Sequence, residues 1–249
     1  VHRLWPEAPQ GVVDDTELER IYAYPDDLAR PWVQVNFVSS LDGAVAVDGT
    51  SRGLSGPADK KVFALGRDLA DVVLVGWGTA RDEGYRGVKA SEVRARRRAS
   101  LGLAPLPPIA VVTGRCSIEP DAPIITDTQV PTIVITTESA PPERRAALTD
   151  AGADVVVAGG DRVDPGVALD ALGARDLLRV CCEGGPALFG ALVADDLVDQ
   201  LCLTVAPLLA GAGAGRIVTG DTPAAPVGMT LASVLAEDGF LMLRYRRER

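Results

Sequence analysis

The run Leu177-Leu178-Arg179-Val180-Cys181-Cys182-Glu183-Gly184-Gly185-Pro186, continuing as Ala187-Leu188-Phe189-Gly190-Ala191-Leu192, constrains this chain more than any other stretch. Its first half is apolar and strand-like, and its second half places Leu188, Leu192 and Val193 at helical spacing. A strand that passes into a helix through two glycines needs a tight turn. Glycines let the backbone approach a ligand that any side chain would push away. Pro186 suits the first helical turn, where its missing N–H costs nothing. The free N–H groups and the positive end of such a helix favour an anion above the turn. A bare Gly-Gly pair is equally compatible with close packing of strand on helix. Glu183 argues for more, because it sets a carboxylate at the end of a central strand.

The same alternation recurs along the chain. Residues 32–38, 71–75, 109–113, 132–136 and 154–157 read as short apolar strands, and residues 44–47 as a further short strand before the Asp48-Gly49 turn signal. Residues 57–69 carry Ala58, Val62, Leu65 and Leu69 on one helical face, a second helix starts at Pro141, and residues 165–172 form a third. The basic stretch 90–101, with Arg94, Arg96, Arg97 and Arg98, reads as a solvated helix face. Residues 197–206, 231–236 and 240–245 are strand-rich and suit antiparallel pairing. The expected fold is α/β, with a mostly parallel central sheet, helices on both faces and antiparallel C-terminal strands. Residues 1–30 read as an arm with one short helix near residues 15–22, and residues 31–249 as one domain. Ligands of open parallel sheets sit at the carboxyl ends of the strands. The turns at residues 40–43, 76–79, 114–115 and 183–186 all fall there, which predicts a nucleotide cleft.

Composition excludes several alternatives. A net charge of −9 argues against nucleic acid or an anionic membrane as partner, while leaving room for a small polyanion held by a few arginines. The single histidine, His2, lies in the arm, so a catalytic triad, a histidine metal cluster or a histidine base is not expected. Cys116, Cys181, Cys182 and Cys202 form no Cys-x-x-Cys pair, so no metal site is indicated, and a reducing cytoplasm fits. The most apolar run, residues 197–209, is broken by Asp199, Gln200 and Pro207, and neither a membrane span nor a secretory leader is expected. Gly76 and Gly78 begin a dinucleotide fingerprint, but Arg81 stands where its third glycine belongs.

An ordered set of motifs is more specific. Pro31-Trp32-Val33-x-Val35-Asn36 leads to Ser40-Leu41-Asp42-Gly43. Ser51, Ser55-x-Pro57, Arg67-x-x-Ala70-Asp71 and Val75-Gly76-x-Gly78-Thr79 follow, and then Glu183-Gly184-Gly185-Pro186 and Ala206-Pro207. From about Pro31 onward this set resembles the pyrimidine reductase of riboflavin biosynthesis, the reductase half of the bacterial deaminase-reductase, in its stand-alone form. The resemblance implies a dihydrofolate-reductase-like fold, NADPH as cofactor, a homodimer and reduction of a C=N bond in a phosphoribosylaminopyrimidine. It implies that Gly184, Gly185, Pro186, Ala187, Leu188, Phe189, Gly190 and Ala191 hold the cofactor's pyrophosphate region. Val38, Gly53, Gly76, Gly78, Thr79, Glu83 and Gly114 would line the cofactor too. Arg115, directly after Gly114, is placed to pair with a 2′-phosphate. Ser51, Arg67 and Glu183 would face the substrate, with Arg86 for its phosphate, and Asp42 and Glu183 are the candidate catalytic groups. By its pattern alone, Arg67 is a surface helix residue, and Asp42 is as compatible with a turn-former as with a catalytic group.

Two departures from the family pattern stand out. The family commonly has Asp-Asp-Pro after the threonine turn, whereas this chain reads Arg81-Asp82-Glu83-Gly84-Tyr85-Arg86, and many bacterial members have lysine at the position of Asn36. The deaminase's zinc motif does not occur in the sequence, so no metal is implied. Dihydrofolate is a second candidate substrate, and a non-catalytic NADPH-binding protein is the rival of another class.

Overall fold

The structure is a computed structural model that describes residues 1–6 and 12–248. The run Val72-Val73-Leu74-Val75 shows how its sheet is made: each of these side chains is at most 2% exposed, as a parallel strand covered on both faces requires. The strands are β1 (His2–Trp5), β2 (Trp32–Ser40), β3 (Val72–Gly76), β4 (Ile109–Val112), β5 (Ile133–Thr136), β6 (Asp154–Val157), β7 (Arg179–Cys182), β8 (Gln200–Ala206), β9 (Thr230–Glu237) and β10 (Phe240–Arg246). The helices are α1 (Asp15–Tyr22), α2 (Pro57–Leu69), α3 (Trp77–Asp82), α4 (Ala95–Ser100), α5 (Pro123–Thr126), α6 (Pro142–Asp150), α7 (Pro165–Gly173) and α8 (Pro186–Ala194).

Among the described residues the strands form one sheet in the order β1-β9-β10-β8-β2-β7-β3-β4-β5-β6. The run from β8 to β6 is parallel, and β10, β9 and β1 add antiparallel strands at one side. One face carries a core of Val33, Val35, Leu74 and Val180 under Leu172 of α7 and Phe189 of α8. On the other face α1 and α2 cover Cys202, Leu235 and Met242, and Ala80 of α3 and Leu148 of α6 cover Val73 and Val111. The fold is thus α/β and mostly parallel with antiparallel C-terminal strands. Because β2, β3, β4 and β7 are parallel, their carboxyl ends share one edge.

Three local expectations change. Residues 44–47 are not a strand. Asp48 and Gly49 have φ of 52° and 80°, and this tight turn closes Val47 onto Thr50 in an isolated bridge, leaving the preceding residues unpaired in a ladder. The basic stretch is not a solvated face throughout. Arg98 is fully buried and donates to the carbonyls of Arg67 and Ala70 at 2.8 Å, acceptors that the end of α2 leaves open, and to that of Ala104 at 2.7 Å. Arg97 bonds Asp68 and Glu19, whereas Arg94 and Arg96 are exposed. The first residues also join the sheet, with β1 pairing antiparallel to β9, while α1 packs Leu18, Ile21 and Tyr22 beside α2. No helix among the described residues is long and apolar enough to cross a membrane.

Candidate active site

The turn from β7 into α8 is fixed by contacts with β2 and β3. Gly184 has φ of +89°, and its carbonyl accepts the Gly76 N–H at 2.8 Å. A Cβ on Gly184 would lie 2.9 Å from the Phe37 ring, and one on Gly185 would lie 2.1 Å from the Thr79 hydroxyl oxygen. Both positions therefore require glycine, and the turn is stitched to the β3–α3 turn beside it. Gly185 caps α8 and Pro186 occupies its first turn.

On one side of this turn lies a cleft of about 510 Å³. Glu183, its side chain 1% exposed, accepts two bonds from Arg67, Nε–H to Oε1 at 2.7 Å and Nη2–H to Oε2 at 2.8 Å. The Tyr85 hydroxyl donates to the same Oε2 at 2.6 Å. The Arg67 guanidinium also lies 4.8 Å from the centre of the Phe63 ring and 5.5 Å from that of Tyr85. Burial works against the charge of Arg67, and the adjacent Glu183 carboxylate more than reverses this, holding its pKa above the ordinary arginine range. Burial, and then the Glu183 charge, push the Tyr85 phenol well above its usual range, so it remains a donor. Arg67 is therefore not a surface residue, since its side chain is 12% exposed. Glu183 is thus the anchor of this network.

Val38, Ser51, Thr79, Glu83, Arg86, Gly185 and Pro186 line the same cleft. The Ser51 N–H donates to Glu83 at 2.7 Å, which closes the loop over the cleft. Arg86 lies at the rim, 3.2 Å from Asp127 and 58% exposed. Asp59, Lys60 and Phe63 also line it and were not singled out in the sequence, as do Asn36 and Tyr85, which the motif comparison named without giving them a role in the site. Asp59 and Lys60 carried a usable signal, since they occupy the first turn of a helix that follows directly on the Ser55-x-Pro57 motif.

On the other side of the turn lies a cleft of about 1090 Å³, walled by α7, α8 and the ends of β3 and β4. Gly76, Gly78, Gly114, Arg115, Ala187, Leu188 and Ala191 line it, joined by Arg144 and Arg162. A Cβ built on Gly78 or Gly114 meets nothing within 4 Å, so the space above both is open. Arg144 reaches the Cys116 carbonyl at 3.2 Å and Arg162 reaches Asp221 at 3.2 Å, while Arg115 forms no ion pair among the described residues. A glycine floor, the N-terminus of α8 and three arginines fit a dinucleotide phosphate.

Five sequence candidates fall outside both clefts. Phe189 stacks on Phe37 with ring centres 5.2 Å apart, and Gly190 is glycine because a Cβ there would lie 1.8 Å from the Thr219 carbonyl oxygen. Both face the protein rather than a ligand. Gly184 is a backbone hinge of the turn, and Gly53 packs on Val47. Asp42 lines a separate hollow with Gly211 and Arg216. It accepts from the Ser40 hydroxyl and from the N–H groups of Ala210 at 3.1 Å and Gly211 at 2.7 Å. These bonds hold its pKa down to about 2, and as placed Asp42 clamps a loop outside both clefts. The four cysteines are free and buried, and burial pushes Cys182 up to about 12 and Cys202 up to about 11, which leaves neither as a thiolate nucleophile.

The parallel α/β sheet thus presents two clefts at its strand ends, one floored by glycines and edged by arginines and the other lined by charged side chains, meeting at one turn. Over residues 31–239 the sequence matches the RibD C-terminal domain family, and the chain belongs to that family. It is 33% identical over 195 residues to the 2,5-diamino-6-ribosylamino-4(3H)-pyrimidinone 5′-phosphate reductase of Methanothermobacter thermautotrophicus, covering 77% of this chain and 85% of that one. Its structure superposes on a pyrimidine reductase-like protein from Corynebacterium diphtheriae with a TM-score of 0.78 at 24% identity, covering 93% and 98% of the two chains. It also superposes on a Thermotoga maritima diaminohydroxyphosphoribosylaminopyrimidine deaminase/5-amino-6-(5-phosphoribosylamino)uracil reductase, with a TM-score of 0.65 at 21% identity, over 88% of this chain and 57% of that one. The chain is accordingly an oxidoreductase with the dihydrofolate-reductase-like fold of these reductases.

Proposed function

We propose that this protein is an NADPH-dependent reductase of a phosphoribosylaminopyrimidine in riboflavin biosynthesis, acting in the cytoplasm as a homodimer. The observation that carries the reading is the meeting of the two clefts at Gly184–Gly185: Gly76 and Gly78 face one side, Thr79 and Gly185 the other. The residues lining the larger cleft would hold a dinucleotide, with Thr79 and Gly185 standing where the two clefts meet. Reduced nicotinamide, when bound, supplies the hydride for the C=N bond. The chain's own residues bind and orient. Gly114 and Arg115 receive the phosphate-bearing end, and the N-terminus of α8 faces the pyrophosphate. Arg67, locked by Glu183 and Tyr85, sets a fixed positive charge in the wall of the substrate cleft. Lys60 and Arg86, exposed at that cleft, are the cations available to the substrate's phosphate.

The name of the 33% identical relative favours a pyrimidine over dihydrofolate. The homodimer reading is supported by the sheet face away from α2, where Leu201, Leu203, Val205 and Leu243 are only half-buried and Leu241 is 37% exposed. The deciding assay follows oxidation of NADPH with phosphoribosylaminopyrimidine and with dihydrofolate. Efficient turnover of the pyrimidine supports the reading. Tight NADPH binding with no turnover of either substrate favours a non-catalytic binding protein, and turnover of dihydrofolate alone makes this a folate reductase. Light scattering that returns 26.0 kDa, the mass of one chain, would remove the dimer.

A further inference from the structure

No residue of the basic helix α4 lines either cleft, yet α4 is fastened to the turn of α2 that carries Arg67. Arg67 stands in the last turn of α2, where carbonyls have no partner within the helix and the backbone tends to fray. Arg98 supplies donors there. Its Nη1 donates to the carbonyls of Arg67 at 2.8 Å, Asp68 at 3.2 Å and Ala70 at 2.8 Å, and its Nε to that of Ala104 at 2.7 Å. Beside it the Asp68 carboxylate, buried in turn, accepts the Arg94 N–H at 2.7 Å and a bond from the Arg97 guanidinium. Beyond Ala70 the chain is fixed separately, since Asp71 accepts the N–H groups of Leu178 at 3.1 Å and Arg179 at 2.7 Å. The last turn of α2 therefore depends on α4. Burial works against the charge of Arg98, and its Nη2 has no partner. The negative end of α2 is what this cation answers. An apolar side chain would fill the same volume without that desolvation cost, but it would leave the carbonyls open.

We infer that Arg98 is a positioning residue for the smaller cleft: by holding the carbonyls of the last turn of α2, it fixes the backbone from which Arg67 reaches Glu183. The inference rests on the reductase reading above only for its kinetic readout. The Arg67–Glu183 pair is what needs such support. Its two bonds, at 2.7 and 2.8 Å, run in parallel from one planar fork to one carboxylate, and that geometry tolerates little rotation of the helix turn beneath it. The rings of Phe63 and Tyr85 confine the guanidinium further. Side-chain contacts thus set where the guanidinium of Arg67 ends, and Arg98 sets where its backbone begins. A lysine at position 98 would carry the charge without the fork that spans these separate carbonyls.

The test reads Arg67 directly. The Nε–H of a guanidinium locked in a buried pair exchanges slowly with solvent and gives its own signal in a ¹H–¹⁵N spectrum, identified by its loss in Arg67→Lys. In Arg98→Lys and Arg98→Met that signal should shift, and its exchange should quicken by at least about tenfold, the size expected for one lost hydrogen bond. The kcat/KM for the phosphoribosylaminopyrimidine should fall by about 100-fold, as expected for a displacement of about 1 Å. Affinity for NADP⁺ should stay within about twofold, because Arg67 does not line the larger cleft. Arg96→Ala, an exposed position on the same helix, should change neither readout. The kinetic losses of Arg98→Lys and Tyr85→Phe should combine less than additively, since both act on Arg67. A purely structural Arg98 would lower the urea midpoint while leaving the Arg67 signal and the kcat/KM of the folded protein unchanged, and that result overturns the inference, as do additive losses in the double variant. Where Arg98→Met does not fold, Arg98→Lys decides alone. A wild type that turns over no pyrimidine defeats the reductase reading, and the Arg67 signal then decides this inference. Turnover by the wild type, with an Arg67 signal that Arg98→Lys does not move, defeats this inference and leaves the reductase reading intact.

Discussion

The smaller cleft, about 510 Å³, is walled by side chains already bonded to one another, whereas the larger cleft, about 1090 Å³, is floored by glycines with open space above them. In the first, Arg67, Glu183 and Tyr85 satisfy each other before any ligand arrives. In the second, Gly78 and Gly114 have nothing within 4 Å of a Cβ position, and Arg115 has no ion-pair partner among the described residues. One cleft is organised by long-range charge pairing, the other by the absence of side chains. Removing a side chain should therefore damage the first as structure, while adding one should block the second as a binding surface.

The largest effect is expected from Arg67→Ala. It leaves Glu183, 1% exposed, as a buried carboxylate without its cation, which costs about 3–5 kcal/mol when such a pair is broken from one side. Urea unfolding should show that loss together with collapse of turnover. A stability change within about 0.5 kcal/mol, the range of an ordinary surface substitution, would mean that the pair is not a structural element of the cleft. Arg86→Ala is the control, because its partner Asp127 is 44% exposed and the pair should add little to stability. Its effect should fall on KM.

Next is Gly185→Val. The added carbons must displace Thr79, whose oxygen lies 2.1 Å from the Cβ position, and they rise toward the space where the two clefts meet. NADPH affinity should fall by more than about 100-fold, as expected where only glycine permits close backbone approach, with the circular dichroism spectrum retained. A folded variant with normal NADPH binding would reduce the turn to packing.

A smaller effect separates the cofactors. Arg115→Ala should weaken NADPH about tenfold, the scale of one charge-assisted hydrogen bond, and leave NADH nearly unchanged. Equal losses for both would place Arg115 away from the 2′-phosphate.

The smallest effect concerns Asp42, which lines neither cleft. Asp42→Asn should keep turnover within about twofold, since hydrogen-bonded loop geometry is largely retained when charge alone is removed. A loss of orders of magnitude would return Asp42 to the catalytic machinery. Its folded pKa of about 2 lies below the ordinary 3.8. Its contribution to stability is therefore complete above about 3.8 and is lost as pH falls toward about 2. Acid titration of the variant should lack that part of the stability profile.

The elements read most directly from sequence are those whose ends carry their own signals. Pro57 opens α2, and its apolar residues at helical spacing run to Leu69, as observed. Gly184 and Gly185 announced the turn, and their positions beside Phe37 and Thr79 account for both. By contrast, β1 has no periodic pattern and is a strand because β9 offers it an edge. Arg98 looked like one solvated arginine among several, and it is buried because the carbonyls at the end of α2 require donors. The contacts inside the smaller cleft were the least legible from local pattern, although the family resemblance had named Ser51, Arg67, Arg86 and Glu183. Arg67 and Tyr85 meet Glu183 across 116 and 98 residues of chain, and Asp59 of α2 meets Thr204 of β8 on the sheet face that α2 covers.

The sequence by itself determined the strand–helix alternation, the edge on which the ligand turns gather, and the glycine positions, because backbone conformation and local hydrophobic spacing are set by near neighbours. Tertiary structure alone decided which carboxylates are engaged, which arginines are buried, and that Asp42 clamps a loop while Asp59 faces the cleft. The environment of a charge is fixed by groups brought within a few ångströms from distant parts of the chain, and no local pattern encodes that meeting.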